Sequence, residues 1–205
     1  AACYVDALLA ALRDRVRLGC AVDGVRRGED GVDVRSRGGT ERFDAVVMAV
    51  HGSQALRLLE DPTAVERDVL SAFGEQENEA VLHTDASLLP RARRAWSSWN
   101  VDLGRHTDRV VVTYDMSRLQ RLPSRSPLCV TLNAAAIDPA RVLRRFVYHH
   151  PVYTRAAVAA QGRHAAISGV GRTHFCGAYW GYGFHEDGVE SALAVARRFG
   201  VEPTT

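Results

Sequence analysis

Apolar positions at the start of the chain recur with helical spacing. Val5, Leu8, Leu9 and Leu12 share one face of a helix predicted over Tyr4–Arg15, with Asp6 early, Arg13 and Arg15 late, and Gly19 as its stop. Three short strands follow, at Ala21–Arg26, Val32–Ser36 and Phe43–Val50, with turns at Gly28–Gly31 and Gly38-Gly39. Val32 and Val34 alternate with polar neighbours, which predicts one wet face. Ala45–Val50 is continuously apolar, which predicts burial on both faces. Ser53 is placed to N-cap a helix carrying Ala55, Leu56 and Leu59, and Pro62 separates it from a second helix over Thr63–Phe73.

The middle of the chain reads differently. Glu79–Thr84, Val110–Tyr114, Leu128–Leu132 and Arg144–Tyr153 are strand candidates for a second sheet. The pattern then returns to a helix over Arg155–Ile167, a short strand at Thr173–Cys176 and a last helix over Glu186–Phe199. That helix is predicted to turn Val189, Ala192, Leu193, Ala196 and Phe199 inward. The two ends therefore read as one α/β layer and the middle as a sheet-based insertion, a mixed α/β organisation.

Composition narrows this picture. With 46% hydrophobic and 24% charged residues the chain is ordinary for a globular protein. A net charge of +2 gives no reason to expect nucleic acid or an anionic membrane as partner. No apolar run reaches the ~18 residues that span a bilayer, and no charged-then-apolar leader opens the chain. It begins Ala1-Ala2-Cys3 without Met, which suggests that this is not its natural start. Cys3, Cys20, Cys129 and Cys176 are scattered, with neither metal-like nor disulfide-framework spacing, and read as reduced thiols of a cytoplasmic protein. All 26 basic residues are Arg, so chemistry that needs a lysine amine is absent.

The segment richest in chemistry runs from Thr173 to Ala196. A strand enters a loop containing Gly177, Gly181 and Gly183 with Tyr179, Trp180, Tyr182 and Phe184, and the loop opens a helix at Glu186-Asp187. Glycines let a ligand approach backbone. The unpaired amides of a helix start favour an electron-rich partner, and the aromatic rings suit a flat heteroaromatic one. The same pattern also describes an ordinary strand-to-helix turn whose acids complement the helix dipole.

The run Phe175-Cys176-Gly177, followed by Gly183-Phe184-His185-Glu186-Asp187-Gly188-Val189-Glu190-Ser191-Ala192, resembles the C-terminal flavin motif of the amine oxidases. Tyr4–Leu12, Val16-Arg17-Leu18 with Val22, and Phe43–Val50 resemble that family's helix, strand pair and following strand. The strings His83-Thr84-Asp85, Trp96-Ser97-Ser98-Trp99-Asn100 and His174–Gly181 are similar to those of bacterial NAD/FAD-binding, amine-oxidase-like proteins. The resemblance implies FAD as cofactor. It implies a partial Rossmann-like FAD/NAD(P)-binding domain over 1–75 and 154–205, and an inserted mixed-sheet substrate domain over 76–153. It places Val22 at the adenine end, Ala49 and Val50 near the cofactor, and Gly177 and Ala178 beside the ribityl–pyrophosphate chain. It sets Gly183, Phe184, His185 and Glu186 at the ring. Tyr148, Trp180 and Tyr182 are the candidate substrate wall.

The chain also departs from the family. The family's opening strand–G-x-G-x-x-G–helix is missing; the nearest string, Gly169-Val170-Gly171-Arg172-Thr173-His174, leads into a strand. The resemblance therefore implies a C-terminal portion. The family's lysine near the flavin N5 has no counterpart, nor does the acidic residue that often follows its strand-ending A-G. The expected function is hydride transfer from an organic small molecule to FAD. The alternatives are a double-bond isomerase or desaturase acting on a lipid-like substrate, and a non-catalytic remnant. No general base is identifiable. The histidines His83, His149, His150, His174 and His185 lack metal-ligand spacing. His149-His150 reads as polar edge-strand residues, and Arg91, Arg93 and Arg94 as a solvated loop.

Overall fold

The computed structural model describes residues 2–103, 110–124, 126–134 and 136–201. It is a mixed α/β protein that divides into two compact units, Ala1–Gly74 with Tyr153–Thr205, and Glu75–Val152.

The first unit begins with α1 (Ala2–Leu9) and a one-turn helix at Arg13–Arg15. An antiparallel meander of β1 (Val22–Arg27), β2 (Val32–Ser36) and β3 (Gly39–Phe43) follows. Next come β4 (Val46–Met48), α2 (Gly52–Leu58) and α3 (Ala64–Ser71). The second unit is one antiparallel sheet of β5 (Glu75–His83), β6 (Trp99–Asp102), β7 (Val111–Asp115), β8 (Cys129–Leu132) and β9 (Val142–Pro151). Its order is β6-β7-β8-β5-β9, and the short helix α4 (Met116–Leu119) follows β7. The chain then returns to the first unit with α5 (Arg155–Gln161), α6 (His164–Ile167), β10 (Thr173–Phe175) and α7 (His185–Arg198).

The core of the first unit gathers Val25, Val32, Met48, Leu70, Phe73, Ile167 and Phe175 from both ends of the chain. One ion-pair cluster pins β1 to α3. Glu66 is 1% exposed, and both its oxygens accept from the Arg27 guanidinium. Arg27 also donates to the Asp61 carboxylate and, at 2.6 Å, to the Asp61 carbonyl. Glu66 is at the same time part of a capping box. Its Oε2 accepts from the Thr63 N–H at 2.8 Å, and its own N–H donates to Thr63 Oγ1 at 3.1 Å.

Five sequence expectations are corrected. Phe43–Val50 is two elements: β3 ends its antiparallel pairing at Phe43↔Val32, and β4 then pairs parallel with β10, the Val46 N–H donating to the Arg172 carbonyl. Within Ala45–Val50 only Met48 is buried, while Val47 and Ala49 are exposed, because among the described residues β4 has a single strand partner. The α2 N-cap is His51 rather than Ser53; the Gln54 side chain accepts from the His51 N–H at 3.3 Å. The helix over Arg155–Ile167 is broken between Gln161 and His164 into α5 and α6. α7 buries Ser191 and Val195, leaving Val189 and Phe199 exposed, because Ser191 Oγ is drawn inward by two backbone hydrogen bonds. The apolar face of α1 is likewise open, with Leu8 70% exposed.

In the second unit a buried neutral imidazole lies beside a buried carboxylate. Asp85 N–H donates to His83 Nδ1 at 3.1 Å, so His83 carries its proton on Nε2 and donates to Thr131 Oγ1 at 2.7 Å. Thr131 and Thr113 hydroxyls lie 2.9 Å apart and extend the chain. Asp85 accepts from the Ser87 and Asp138 N–H groups, which hold its carboxyl below the ordinary range. Burial, with Asp115 and Asp85 nearby, pushes the Cys129 thiol up to about 12, an inert thiol.

Candidate functional site

The parallel pairing of β4 with β10 sets the site. The Cys176 N–H donates to the Met48 carbonyl at 3.1 Å, the last rung of the pair. Beyond it Ala49-Val50 and Gly177-Ala178 leave the carboxyl ends of two adjacent parallel strands, the position where open α/β sheets take ligands. Four of the sequence-predicted cofactor residues are brought together here.

From Gly177 the chain turns through a one-turn helix, Ala178–Trp180, to α7. Its own side chains fasten this turn. The Gly177 N–H donates to Ser191 Oγ at 2.9 Å, and Ser191 Oγ–H donates to the Gly188 carbonyl at 2.8 Å. Asp187 Oδ2 accepts from the Tyr182 and Phe184 N–H groups, both at 2.9 Å. The Gln161 amide donates to the carbonyls of Tyr179 and Gly181. Gly183 has φ +87°, and a Cβ there would lie 2.6 Å from the Tyr153 hydroxyl. A Cβ on Gly181 would collide with the Asp187 carboxylate. The glycines thus serve the turn's internal packing, and Asp187, Ser191 and Gln161 fix its shape. The sequence signalled Asp187 only as a dipole-complementing residue and gave no sign of Gln161, which arrives from α5.

The outer side of the turn is open. Phe184 is 71% and Tyr182 63% exposed, and His185, Glu186 and Gly183 are exposed too. Any helix start leaves its first amides without intrahelical acceptors, and in α7 these belong to His185 and Glu186. Trp180 is not in this open group. It packs edge-on to Phe73 and His164, with ring centroids 4.9 and 4.6 Å apart. Its buried Nε1 has no hydrogen-bond partner among the described residues. Tyr182 leans on Tyr153 at 5.9 Å. Burial, and then the charge of Asp187, raise the Tyr153 hydroxyl above its ordinary range.

Val22 and Val50 line one hollow of 390 Å³ with Gln54, Arg57 and Leu58 of α2. Val22 also borders a second hollow of 280 Å³, with Arg15, Arg17, Cys20 and Phe43 among its walls. Arg17 there is paired with Glu41. Tyr148 lies in the second unit, on β9, and is 49% exposed. The nearest string to a phosphate loop, Gly169–His174, forms a tight reverse turn instead. The Gly169 N–H donates to the Thr173 carbonyl, and the Thr173 N–H to that of Val170. Among the described residues no group of three His, Cys, Asp or Glu is placed to hold a metal ion, and no helix is long and apolar enough to cross a membrane.

Residues 1–85 match the family model of flavin-containing amine oxidoreductases. Over these residues the chain is similar to that family. Solved structures share its fold. A conjugated-linoleic-acid-producing fatty acid isomerase from P. acnes superposes with a TM-score of 0.61 at 13% identity, over 89% of this chain and 48% of that one. Cyclohexylamine oxidase from Brevibacterium oxydans IH-35A gives 0.58 at 17% identity, over 94% and 51%. Putrescine oxidase with putrescine bound gives 0.61 at 15% identity, over 95% and 51%. The chain spans about half the length of these neighbours. No curated protein sequence matches it.

The residues present fit a flavin in part. The open helix start at His185-Glu186, the exposed ring of Phe184 and the hollow at Val22 and Val50 suit a flat ring system and its attached chain. The Gly177 N–H, by contrast, is already taken by Ser191, and the described residues contain no strand–G-x-G-x-x-G–helix unit for a pyrophosphate.

Proposed function

We propose that this chain is part of an FAD-dependent oxidoreductase, in which the first unit carries the cofactor and the second the substrate. The observation that carries the reading is the convergence of Ala49-Val50 and Gly177-Ala178 at the carboxyl ends of β4 and β10, leading directly into the open start of α7. When bound, the flavin supplies the redox chemistry, accepting a hydride from the substrate. This chain's residues supply binding and orientation. The amides of His185 and Glu186 would face the electron-rich edge of the ring, with Phe184 beside it. Val22 and Val50 would wall the adenine-bearing end, and Asp187, Ser191 and Gln161 hold the turn in shape.

The absence of lysine and the aromatic loop fit a second reading equally well, a flavin enzyme that moves a double bond without net oxidation. The likeness to a fatty acid isomerase is compatible with it.

The test is titration of the protein, produced from its complete reading frame, with FAD, following the quenching of flavin fluorescence. Saturable binding that Gly183→Val weakens is expected, with the melting temperature of the variant as a control. No binding sinks the reading. Anaerobic bleaching by an amine at catalytic rates sinks the isomerase reading alone.

A further inference from the structure

The sheet of the second unit sorts its charges by face. Residues directly opposite one another in antiparallel strands project to the same side. By this register every carboxylate on the five strands, namely Glu75, Glu77, Glu79, Asp102 and Asp115, falls on one face. That face also holds the buried His83–Thr131–Thr113 chain, and Arg145, which is paired with Glu79 at 2.8 Å. The opposite face carries no carboxylate on any strand. On it β9 presents Arg144, Phe146, Tyr148 and His150 in a row, and the neighbouring strands add only apolar, aromatic or amide side chains.

The row is ordered. The Arg144 guanidinium lies over the Phe146 ring at 5.1 Å, a cation–π contact that leaves its fork without a carboxylate on this face. Phe146 stacks on Tyr148 at 5.8 Å with an interplanar angle of 12°, and Tyr148 meets His150 edge-on at 6.3 Å. The Asn78 amide donates to His150 Nδ1 at 3.0 Å and fixes the far end. From Arg144 to His150 the stripe runs six residue steps, roughly 20 Å at the rise of a strand.

We infer that this face binds an elongated apolar monoanion, a long-chain carboxylate whose head pairs with Arg144 and whose chain lies along Phe146 and Tyr148. A guanidinium fork matches a carboxylate with two parallel hydrogen bonds. A protonated amine would meet a cation at one end of the stripe and no strand carboxylate anywhere along it. The inference rests on the reading of the second unit as the substrate-bearing one and names its substrate class.

The experiment is calorimetric titration of the whole chain with hexadecanoate below its micellar concentration, and separately with hexadecylamine and putrescine. Hexadecanoate is expected to bind. Arg144→Gln is expected to weaken it roughly tenfold or more, the worth of hydrogen bonds to a charged group, while Arg145→Gln on the other face leaves it unchanged. Absence of hexadecanoate binding, equal affinity in Arg144→Gln, or tighter binding of either amine overturns the inference. A dimer that Tyr148→Asp dissociates, with no hexadecanoate bound, assigns the face to a second copy and overturns it too. FAD binding without hexadecanoate binding sinks this inference alone. Hexadecanoate binding without FAD binding sinks the flavin reading and leaves the surface assigned.

Discussion

Two buried groups, one in each unit, are held by opposite means. In the first, a carboxylate 1% exposed is gripped by the Arg27 fork and by the capping box of α3. In the second, an imidazole 0% exposed is kept neutral and threaded into a chain of hydroxyls. Burial alone would push the Glu66 carboxyl up, but Arg27 and the Thr63 N–H outweigh it and hold it below the ordinary value. Burial of His83 wins over the pull of Asp85, and its pKa falls. The difference teaches that a buried ion pair is intolerant of losing a partner, whereas a buried neutral imidazole is intolerant of gaining a proton.

The largest expected effect is on the ion pair. Glu66→Ala strips Arg27 of its buried counter-charge and α3 of its capping box. Breaking a buried pair on one side costs about 3–5 kcal/mol. Chemical denaturation should show that loss; a cost under about 1 kcal/mol would mean that Asp61 alone satisfies Arg27 and that the first unit is no more charge-dependent than the second.

How much of this was legible in the sequence depends on what each element rests on. α3 was readable because Thr63 and Glu66 stand at capping-box spacing and act locally. β5, β7, β8 and β9 were readable from runs of β-formers. The break between β3 and β4 was not, because it depends on β10, some 130 residues further on in the count of the chain. The inner face of α7 was misread for a similar reason: apolar spacing pointed to Val189 and Phe199, whereas hydrogen bonds from Ser191 to Gly177 and Gly188 decide its rotation. The motif at Gly177–Glu186 was visible as a string. Its fastening by Gln161 and its place beside Ala49-Val50 are tertiary facts. The segregation of carboxylates in the second unit was hidden because it appears only once the strand register is known.

A second effect sharpens the contrast through pH. His83 in the unfolded chain takes a proton near its ordinary value of 6.5, and in the folded chain only at lower pH. Its contribution to stability is therefore complete above 6.5 and is lost as pH falls from there toward the folded-state value. The Glu66 contribution is complete above its ordinary value of 4.5 and is lost as pH falls through its lower folded-state value. Between these two ordinary values the imidazole responds first. His174, whose pKa burial lowers, with Arg198 and His164 adding to the effect, contributes in the same direction. The diagnostic is the variant pair. His83→Gln should flatten the stability–pH curve over this window by at most about 1.4 kcal/mol per pH unit, the limit for one proton, and Glu66→Gln should leave its slope unchanged. Equal slopes in wild type and His83→Gln would show that the imidazole is not the group that titrates.

The smallest effect tests whether the hydroxyl chain behaves as a set of neutral hydrogen bonds. Thr113→Val keeps the shape of the side chain and removes the hydroxyl 2.9 Å from Thr131 Oγ1. His83 Nε2–H still has Thr131 as acceptor, so the imidazole keeps its tautomer and its response to acid. The expected cost is about 1 kcal/mol, that of one neutral hydrogen bond, with the slope of stability against pH unaltered. Thr131→Val is the informative partner, because it leaves a fully buried imidazole N–H without an acceptor and should cost more than Thr113→Val. If the two cost the same, the chain from His83 carries no directional dependence. The contrast with the Arg27–Glu66 pair would then rest on charge and not on hydrogen bonding along this chain.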